Sequence, residues 1–184
     1  MIVSLLHERN MIDEKIAAIV QRPMTAGHLG EWIAAQVFGV ELETSAAAPA
    51  FDGRFGAGPL QGRTVNVKWY PKREGLLDMT ESTTLDYYLV LTGPRSAATS
   101  SRGGLRPWCI EAVYLFDAAE LLNQQRSRGV KIGTASSILV RQWKAAELFP
   151  HQENCTWLMS PTQVELMTLF APTPAKPSRP SALQ

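Results

Sequence analysis

Cysteine is scarce in this chain, and no pattern of cysteines organises it. The 184 residues include two cysteines, Cys109 and Cys155, which lie far apart and belong to no CxxC pair. Small disulfide-stapled scaffolds use cysteine far more densely, so that class of protein is excluded. We expect two free thiols, as is usual in a reducing cytoplasm.

Long apolar runs and an excess of one charge are also lacking. No stretch approaches the ~18 uninterrupted apolar residues of a membrane span. The N-terminal segment MIVSLLHERNMIDEK meets charges too early for the core of a signal peptide. The net charge is +1, so no overall field attracts nucleic acid and any basic surface must be local. These features predict a cytoplasmic protein without a membrane segment.

The familiar nucleophile, zinc and phosphate-loop motifs are absent too. His7, His28 and His151 are isolated from residues that would complete a zinc site. No GxSxG motif or Cys/His pairing offers a covalent nucleophile. The glycine-rich stretch 56–62 lacks the Gly-Lys-Ser/Thr ending of a phosphate loop, and Pro59 removes a backbone donor from it.

The composition that remains is that of an ordinary globular domain. Hydrophobic residues make up 45 % of the chain and charged residues 19 %, which is typical of soluble proteins. The length suits a single domain with its own core, which we place at residues 1–170. Prolines at positions 172, 174, 177 and 180 predict a disordered tail over residues 171–184.

The hydrophobic pattern predicts helices alternating with strands. Helices are expected at Leu5–Val20, from the Thr25 N-cap to Gly39, from the Asp117 N-cap to Gln125, at Arg141–Leu148, and from the Ser160 cap to Phe170. Strands are expected at Val40–Glu43, Phe51–Phe55, Arg63–Tyr70, Asp86–Gly93, Trp108–Phe116 and Gly129–Ile132. This order indicates an α/β sandwich with a central mixed sheet flanked by helices.

Four polar residues between Gly27 and Tyr70 are placed to meet. Apolar and polar residues alternate along the strand Arg63–Tyr70, so Asn66 and Lys68 share its polar face. If Phe51–Phe55 pairs with this strand as a hairpin, Asp52 reaches the same side. Glu31 has small neighbours in the second helix, which would let its carboxylate lean towards the site.

These residue types suit metal-assisted chemistry on a phosphodiester. Asp52, Asn66 and Glu31 offer the hard oxygen ligands that Mg²⁺ prefers. Lys68 is placed to orient an attacking water or to stabilise charge on the scissile phosphate.

Each of these residues also has a structural interpretation. Asp52 next to Gly53 is a common turn former, Asn66 suits a cross-strand hydrogen bond, and Glu31 and Lys68 suit solvated positions.

The segments GHLGEW, FDGRF and VNVKWY together resemble the restriction-endonuclease-like, or PD-(D/E)-x-K, nuclease superfamily. Within it, the chain is similar to an uncharacterised family of prokaryotic hypothetical proteins, from about His7 to Phe170. The resemblance implies a three-layer sandwich around a four-stranded mixed sheet. It also implies magnesium-dependent DNA hydrolysis, with Mn²⁺ as a substitute, and active-site roles for Asp52, Lys68 and Glu31.

Asn66 departs from the superfamily motif, because it stands at the second acidic position. An amide oxygen can ligate a metal but brings no charge to it. Two functional hypotheses follow from this departure. The chain is a working endonuclease, or it is a nuclease-fold module of weak or no activity that binds nucleic acid or a protein partner.

A group of basic residues is the candidate contact surface for DNA. Its members are Lys72, Arg73, Arg95, Arg102 and Arg106. They would bind the phosphate backbone, although solvated loop charge also explains them. A homodimer would suit an enzyme that cuts both strands of a duplex, but no apolar interface stripe stands out in the sequence.

Overall fold

The computed structural model describes residues 1–44, 50–95 and 107–172. The helices are α1 (Ile2–Val20), α2 (Ala26–Phe38), α3 (Ala118–Ser127), α4 (Val140–Ala146) and α5 (Pro161–Leu169). The strands are β1 (Val40–Leu42), β2 (Gly53–Phe55), β3 (Thr64–Tyr70), β4 (Leu76–Leu77), β5 (Tyr87–Thr92), β6 (Ala112–Asp117), β7 (Ser136–Ser137) and β8 (Glu147–Phe149). Among these helices none is long and apolar enough to cross a bilayer.

A six-stranded mixed sheet organises the molecule. Its strand order is β1-β2-β3-β5-β6-β8, and β4 pairs with β7 in a separate two-stranded sheet. Within the large sheet β3 and β5 run parallel, while its other neighbouring strands are antiparallel. The predicted α/β class, with a mixed sheet flanked by helices, is therefore confirmed. The four strands implied by the resemblance are too few, since β1 and β8 extend the edges.

Each face of the sheet carries its own hydrophobic core. On one face, the odd-numbered residues of β3 pack with α2 and α5. On the other face, β4, β7, α3 and α4 cover the remaining side chains. The central strand β5 is buried along its whole length. This explains why its sequence, YYLVLT, is apolar without the alternation of a half-exposed strand.

Helix caps form where the sequence predicts them. Thr25 Oγ1 accepts a hydrogen bond from His28 N at 3.2 Å, and Gly39 ends α2 in the left-handed conformation with φ of 64°. Ser160 and Gln163 form a reciprocal capping box at the start of α5. These signals are local, which is why they transfer reliably from sequence to structure.

In the C-terminal third, one predicted element is wrong and another is too long. Residues 129–132 lie in the turn and loop that follow α3 and form no strand. The helix predicted at Arg141–Leu148 ends at Ala146, because Glu147–Phe149 pairs with the edge of β6 as β8. Pairing with a distant strand overrides the local helical pattern there. Of the predicted tail, residues 173–184 lie outside the described part of the chain.

Thr64 and Asp86 join the beginnings of β3 and β5. Asp86 Oδ2 accepts hydrogen bonds from Thr64 N at 2.8 Å and from Thr64 Oγ1 at 2.9 Å. In return Thr64 Oγ1 accepts from Asp86 N at 2.8 Å, and Arg63 pairs with Asp86 Oδ1 at 3.2 Å. Thr64 is 3 % exposed, so water cannot readily replace these partners.

We expect Asp86→Ala to lower the free energy of unfolding by about 1–3 kcal/mol, because the buried Thr64 N–H loses its acceptor. Urea denaturation measures this change. The matched control is Glu81→Ala, which removes an exposed ion pair to Arg126 and should change stability by less than about 0.5 kcal/mol. Equal effects of the two substitutions would contradict the role of Asp86.

Candidate active site

The candidate site lies where β2 stops and the edge of β3 continues. β2 pairs with β3 through Gly53 and Arg54. Asp52 N then donates to Val65 O at 2.9 Å, and Asp52 Oδ2 accepts from Val67 N at 2.7 Å. The carboxylate of Asp52 thus takes the place of a strand carbonyl on the β3 edge. Asp52 is not the turn former that its neighbouring glycine would suggest.

Gly53 is required at its position by the spacing of the strands. A Cβ atom on Gly53 would lie 2.4 Å from the carbonyl oxygen of Glu41 in β1. No side chain fits there unless β1 and β2 separate. Asp52 and Gly53 therefore both serve strand pairing. The glycine allows the close approach of β1, and the aspartate accepts a hydrogen bond from β3.

Glu31 reaches the site from α2, which lies close to β3. A Cβ atom on Gly30 would be 3.1 Å from Trp69 Cβ, so the glycine allows the close approach of helix and strand. The Glu31 side chain is 16 % exposed, and its Oε2 is ion-paired with Arg22 Nη1. Arg22 lies in the link between α1 and α2, and no sequence signal indicates this contact.

Asn66 is more buried than a solvent-facing strand residue. It is 8 % exposed, and its Nδ2 donates to the carbonyl oxygen of Ala50 at 3.2 Å. Its Oδ1 is buried and has no hydrogen-bond partner within the described ranges. A buried acceptor without a donor is unfavourable, and it is the kind of atom that a cation would satisfy.

Lys68 lies on the opposite face of β3 from the helix that carries Glu31. Val65, Val67 and Trp69 belong to the core beneath α2, so the alternation of the strand directs Asn66 and Lys68 to the other face. Lys68 is half-buried and forms no ion pair within 4.0 Å with any residue that the structure describes. Glu31 and Lys68 therefore approach Asp52 from the two sides of the sheet edge.

The pKa of Asp52 depends on its burial and on the charges that surround it. Burial raises the pKa of Asp52 above its ordinary value, and the hydrogen bond from Val67 N opposes this effect. The charge of Glu31 raises the pKa further, while Lys68 and Arg22 lower it. The site thus brings two carboxylates and two cations into one electrostatic neighbourhood.

The oxygen atoms of the site suit a hard cation. Asp52 Oδ2 and Glu31 Oε2 are engaged by Val67 and Arg22, which leaves the second oxygen of each carboxylate and Asn66 Oδ1. Such oxygens are Mg²⁺ ligands by type. No cluster of three or more His, Cys, Asp or Glu side chains that could hold a metal occurs in the described residues. A cation there would have at most two carboxylates and the amide oxygen of Asn66 as protein ligands, and water would complete its coordination.

The structure describes three of the five basic residues proposed for DNA contact. Arg73 and Arg95 form a parallel bridge just beyond β3 and β5. The Arg73 guanidinium lies 5.5 Å from the ring centre of Tyr114 and 5.9 Å from that of Trp143. Lys72 precedes Arg73, whereas Arg102 and Arg106 lie outside the described residues.

Comparisons with known proteins leave the site to be judged on its geometry. No protein-family model and no curated protein matches this chain. The likeness to restriction-endonuclease-like nucleases thus rests on three short segments of the sequence.

A cavity of about 550 Å³ lies between α3 and α4, and none of the candidate site residues lines it.

We expect Asp52→Asn to raise the melting temperature at neutral pH. Because the folded-state pKa of Asp52 is raised, its contribution to stability is present at low pH and lost as pH rises through that pKa. The amide keeps an acceptor for Val67 N and removes the buried charge. The difference between variant and wild type should vanish below about pH 4.

Thermal unfolding followed by circular dichroism between acidic and neutral pH measures this difference. Asp86→Asn is the control, since it weakens the ion pair to Arg63 and should give no gain in melting temperature. A lower melting temperature for Asp52→Asn at neutral pH would show that the charged form of Asp52 stabilises the fold.

Proposed function

We propose that this chain is a restriction-endonuclease-like protein that hydrolyses DNA phosphodiesters with magnesium. The observation that carries the proposal is the convergence of Asp52, Glu31 and Lys68 at the edge of β3 beyond the end of β2, where the charges of Glu31 and Lys68 act on the Asp52 carboxyl group and shift its pKa. A buried carboxylate with a raised pKa beside a lysine and a second carboxylate is typical of catalytic sites.

Asp52, Asn66 and Glu31 would hold Mg²⁺, with Mn²⁺ as a substitute. The bound ion would polarise the phosphate and increase the acidity of a coordinated water. Asp52 is fixed for this role by Val67 N, so one of its oxygens is oriented without side-chain reorganisation. Glu31 would have to share its charge with Arg22, which also keeps a cation beside the phosphate.

Lys68 would act on the phosphate itself. In the reaction the oxygen of a water bonds to phosphorus, the P–O bond to one sugar breaks, and the departing oxygen takes up a proton. Negative charge builds on the phosphate oxygens during this step, and a nearby ammonium group stabilises it. In the described residues Lys68 has no carboxylate within 4.0 Å, so its charge is not committed to a structural ion pair.

The arginines beyond β3 and β5 would bind the DNA backbone away from the scissile bond. Lys68 pairs in register with Val90, and Val90 with Tyr114. The three side chains therefore share one face of the sheet, and Arg73 lies over the ring of Tyr114. Tyr114 lies about 10 Å from Lys68 across two strand spacings, so Arg73 stands on the face that carries Lys68.

A second candidate is a nuclease-fold module that binds nucleic acid or a protein partner but cleaves weakly or not at all. The ion pair between Glu31 and Arg22 favours it, because a metal would compete with the arginine for that carboxylate. The neutral side chain of Asn66 favours it too. Only Asp52 then brings an uncommitted negative charge to a metal.

We expect purified protein to nick plasmid DNA with Mg²⁺ or Mn²⁺ and not with EDTA. Asp52→Ala should reduce cleavage to background, and Lys68→Ala should slow it by about 100–1,000-fold, the usual loss for a group that stabilises transition-state charge. Gel electrophoresis of plasmid forms measures the rates. Lys144→Ala removes a lysine that is paired with Glu153 on the surface and should cleave at the wild-type rate. Full activity in both site variants would sink the proposal.

Asn66→Asp separates the two candidate functions. If the wild type binds DNA without cleaving it and Asn66→Asp cleaves, the missing charge alone limits the activity. If neither protein cleaves while both bind DNA, the chain is a binding module. Manganese-dependent quenching or calorimetry should show tighter metal binding by Asn66→Asp, because a second carboxylate charge joins Asp52.

We expect Arg73→Gln/Arg95→Gln to weaken DNA binding to a similar degree for all sequences. Each lost phosphate contact should lower the slope of log affinity against log salt by about 1. Fluorescence anisotropy with a labelled duplex at several salt concentrations measures both quantities. Arg126→Gln is the control, because Arg126 is paired with Glu81 at the end of α3. An unchanged salt slope in the double variant would remove these arginines from the DNA surface.

A further inference from the structure

α1 carries more exposed large apolar side chains than any other element of the described chain. None of its 19 residues is buried, and the first ten residues of the chain are all exposed. The large apolar residues on it include Ile2, Leu5, Ile12 and Ile19, which are 66 %, 53 %, 56 % and 67 % exposed. Most helices in proteins gain their stability by packing one face against a partner, and α1 buries no residue against the rest of the described chain.

The exposed residues form a coiled-coil stripe. Positions 2, 5, 9, 12, 16 and 19 follow the alternating three- and four-residue spacing of a heptad seam. Five of these six positions hold Ile or Leu, and the sixth is Arg9. Ile16 is half-buried, and the other positions are exposed. A stripe of this period is made to pair with another helix.

The charges beside the stripe determine the orientation of a matching helix. In an antiparallel pair of α1 helices, Ile2 would meet Ile19 of the second copy, Leu5 would meet Ile16, and Arg9 would meet Ile12. Glu8 and Lys15 flank the stripe on one side, and antiparallel pairing places Glu8 of each copy opposite Lys15 of the other.

Arg9 fits the same arrangement. It pairs with Asp13 of its own helix at 3.5 Å, and the antiparallel register brings Asp13 of the second copy to the same level. A parallel pair would instead oppose Arg9 to Arg9 in the seam and bring Glu8 next to Asp13 of the partner. Both contacts are repulsive. The charges of α1 are thus complementary to a reversed copy of the same helix.

We propose that α1 joins two copies of this chain as an antiparallel helix pair. The helix is about 28 Å long at ~1.5 Å per residue. An interface of that length is at the small end for specific association, near ~1,000 Å² in total. The dimer should therefore be reversible, with a dissociation constant on the order of micromolar.

Sedimentation velocity from about 1 to 200 µM protein tests the proposal, since that range brackets a micromolar constant. The full-length wild type should shift from monomer to dimer. Ile12→Lys should remain monomeric, because it places lysines beside the two arginines of the seam. Its control is Met11→Lys, which changes a residue of nearly equal exposure, 54 % against 56 %, outside the stripe. Circular dichroism confirms that both variants are folded.

Charge reversal tests the orientation. Glu8→Lys makes both flanking contacts repulsive in the antiparallel pair and should raise the dissociation constant by roughly tenfold. Adding Lys15→Glu to it should restore the wild-type constant. A parallel pair would respond in the opposite way, because Glu8→Lys would then face Asp13.

Three outcomes overturn the proposal. The first is a wild type that stays monomeric at the highest concentration, which would leave the stripe to a different protein. The second is a dimer that survives Ile12→Lys, which would place the interface elsewhere. The third is tighter association of Glu8→Lys, which would reverse the orientation.

Discussion

The hydrogen bond from Val67 N to the carboxylate of Asp52 is the contact on which the candidate site depends. β2 is too short to pair with β3 along its length, so the edge of β3 would present an unpaired N–H group at Val67. The aspartate fills this gap with a side-chain oxygen. The same carboxylate is thereby held in a partly buried position within electrostatic reach of Lys68 and Glu31. The same side chain thus ends the pairing of β2 with β3 and contributes to the candidate site.

This arrangement has an energetic cost that a purely structural residue would avoid. Burial and the charge of Glu31 both disfavour the ionised form of Asp52. A neutral asparagine would satisfy Val67 without that penalty. A charged side chain at a position where an uncharged one would also satisfy Val67 fits the proposed catalytic role, since functional sites commonly sacrifice stability.

The sequence predicts those parts of the fold that are encoded locally. The caps at Thr25, Ser160 and Gly39 require only neighbouring residues, and the alternation of β3 follows from a period of two. The hairpin that carries Asp52 is also predictable from the sequence, because the two strands that it joins are close in the chain. In contrast, β8 and the pair of β4 with β7 depend on the edges of distant strands. The contact of Arg22 with Glu31 depends on how α1 and α2 are linked, for which no residue pattern exists.

The same distinction applies to surfaces. The spacing of apolar residues in α1 indicated an amphipathic helix, and an amphipathic helix is ordinarily assumed to lie on its own core. The structure shows that most of this apolar surface faces outward. Sequence periodicity records that a face is apolar but not which molecule covers it, because burial within a chain and burial between chains favour the same residues.

β3 is tied to its neighbours at its first residue, by Thr64 with Asp86, and at its midpoint, by Val67 with Asp52. From Val65 to Tyr70 it also pairs with β5, which is buried along its whole length. Segments of this kind exchange their amide hydrogens slowly, and they open only when the whole domain unfolds. The backbone that carries Asn66 and Lys68 is therefore rigid, and the distance between these two residues is fixed. We therefore expect β3 to keep its shape when a ligand binds, so any adjustment would come from the ligand or from other parts of the site.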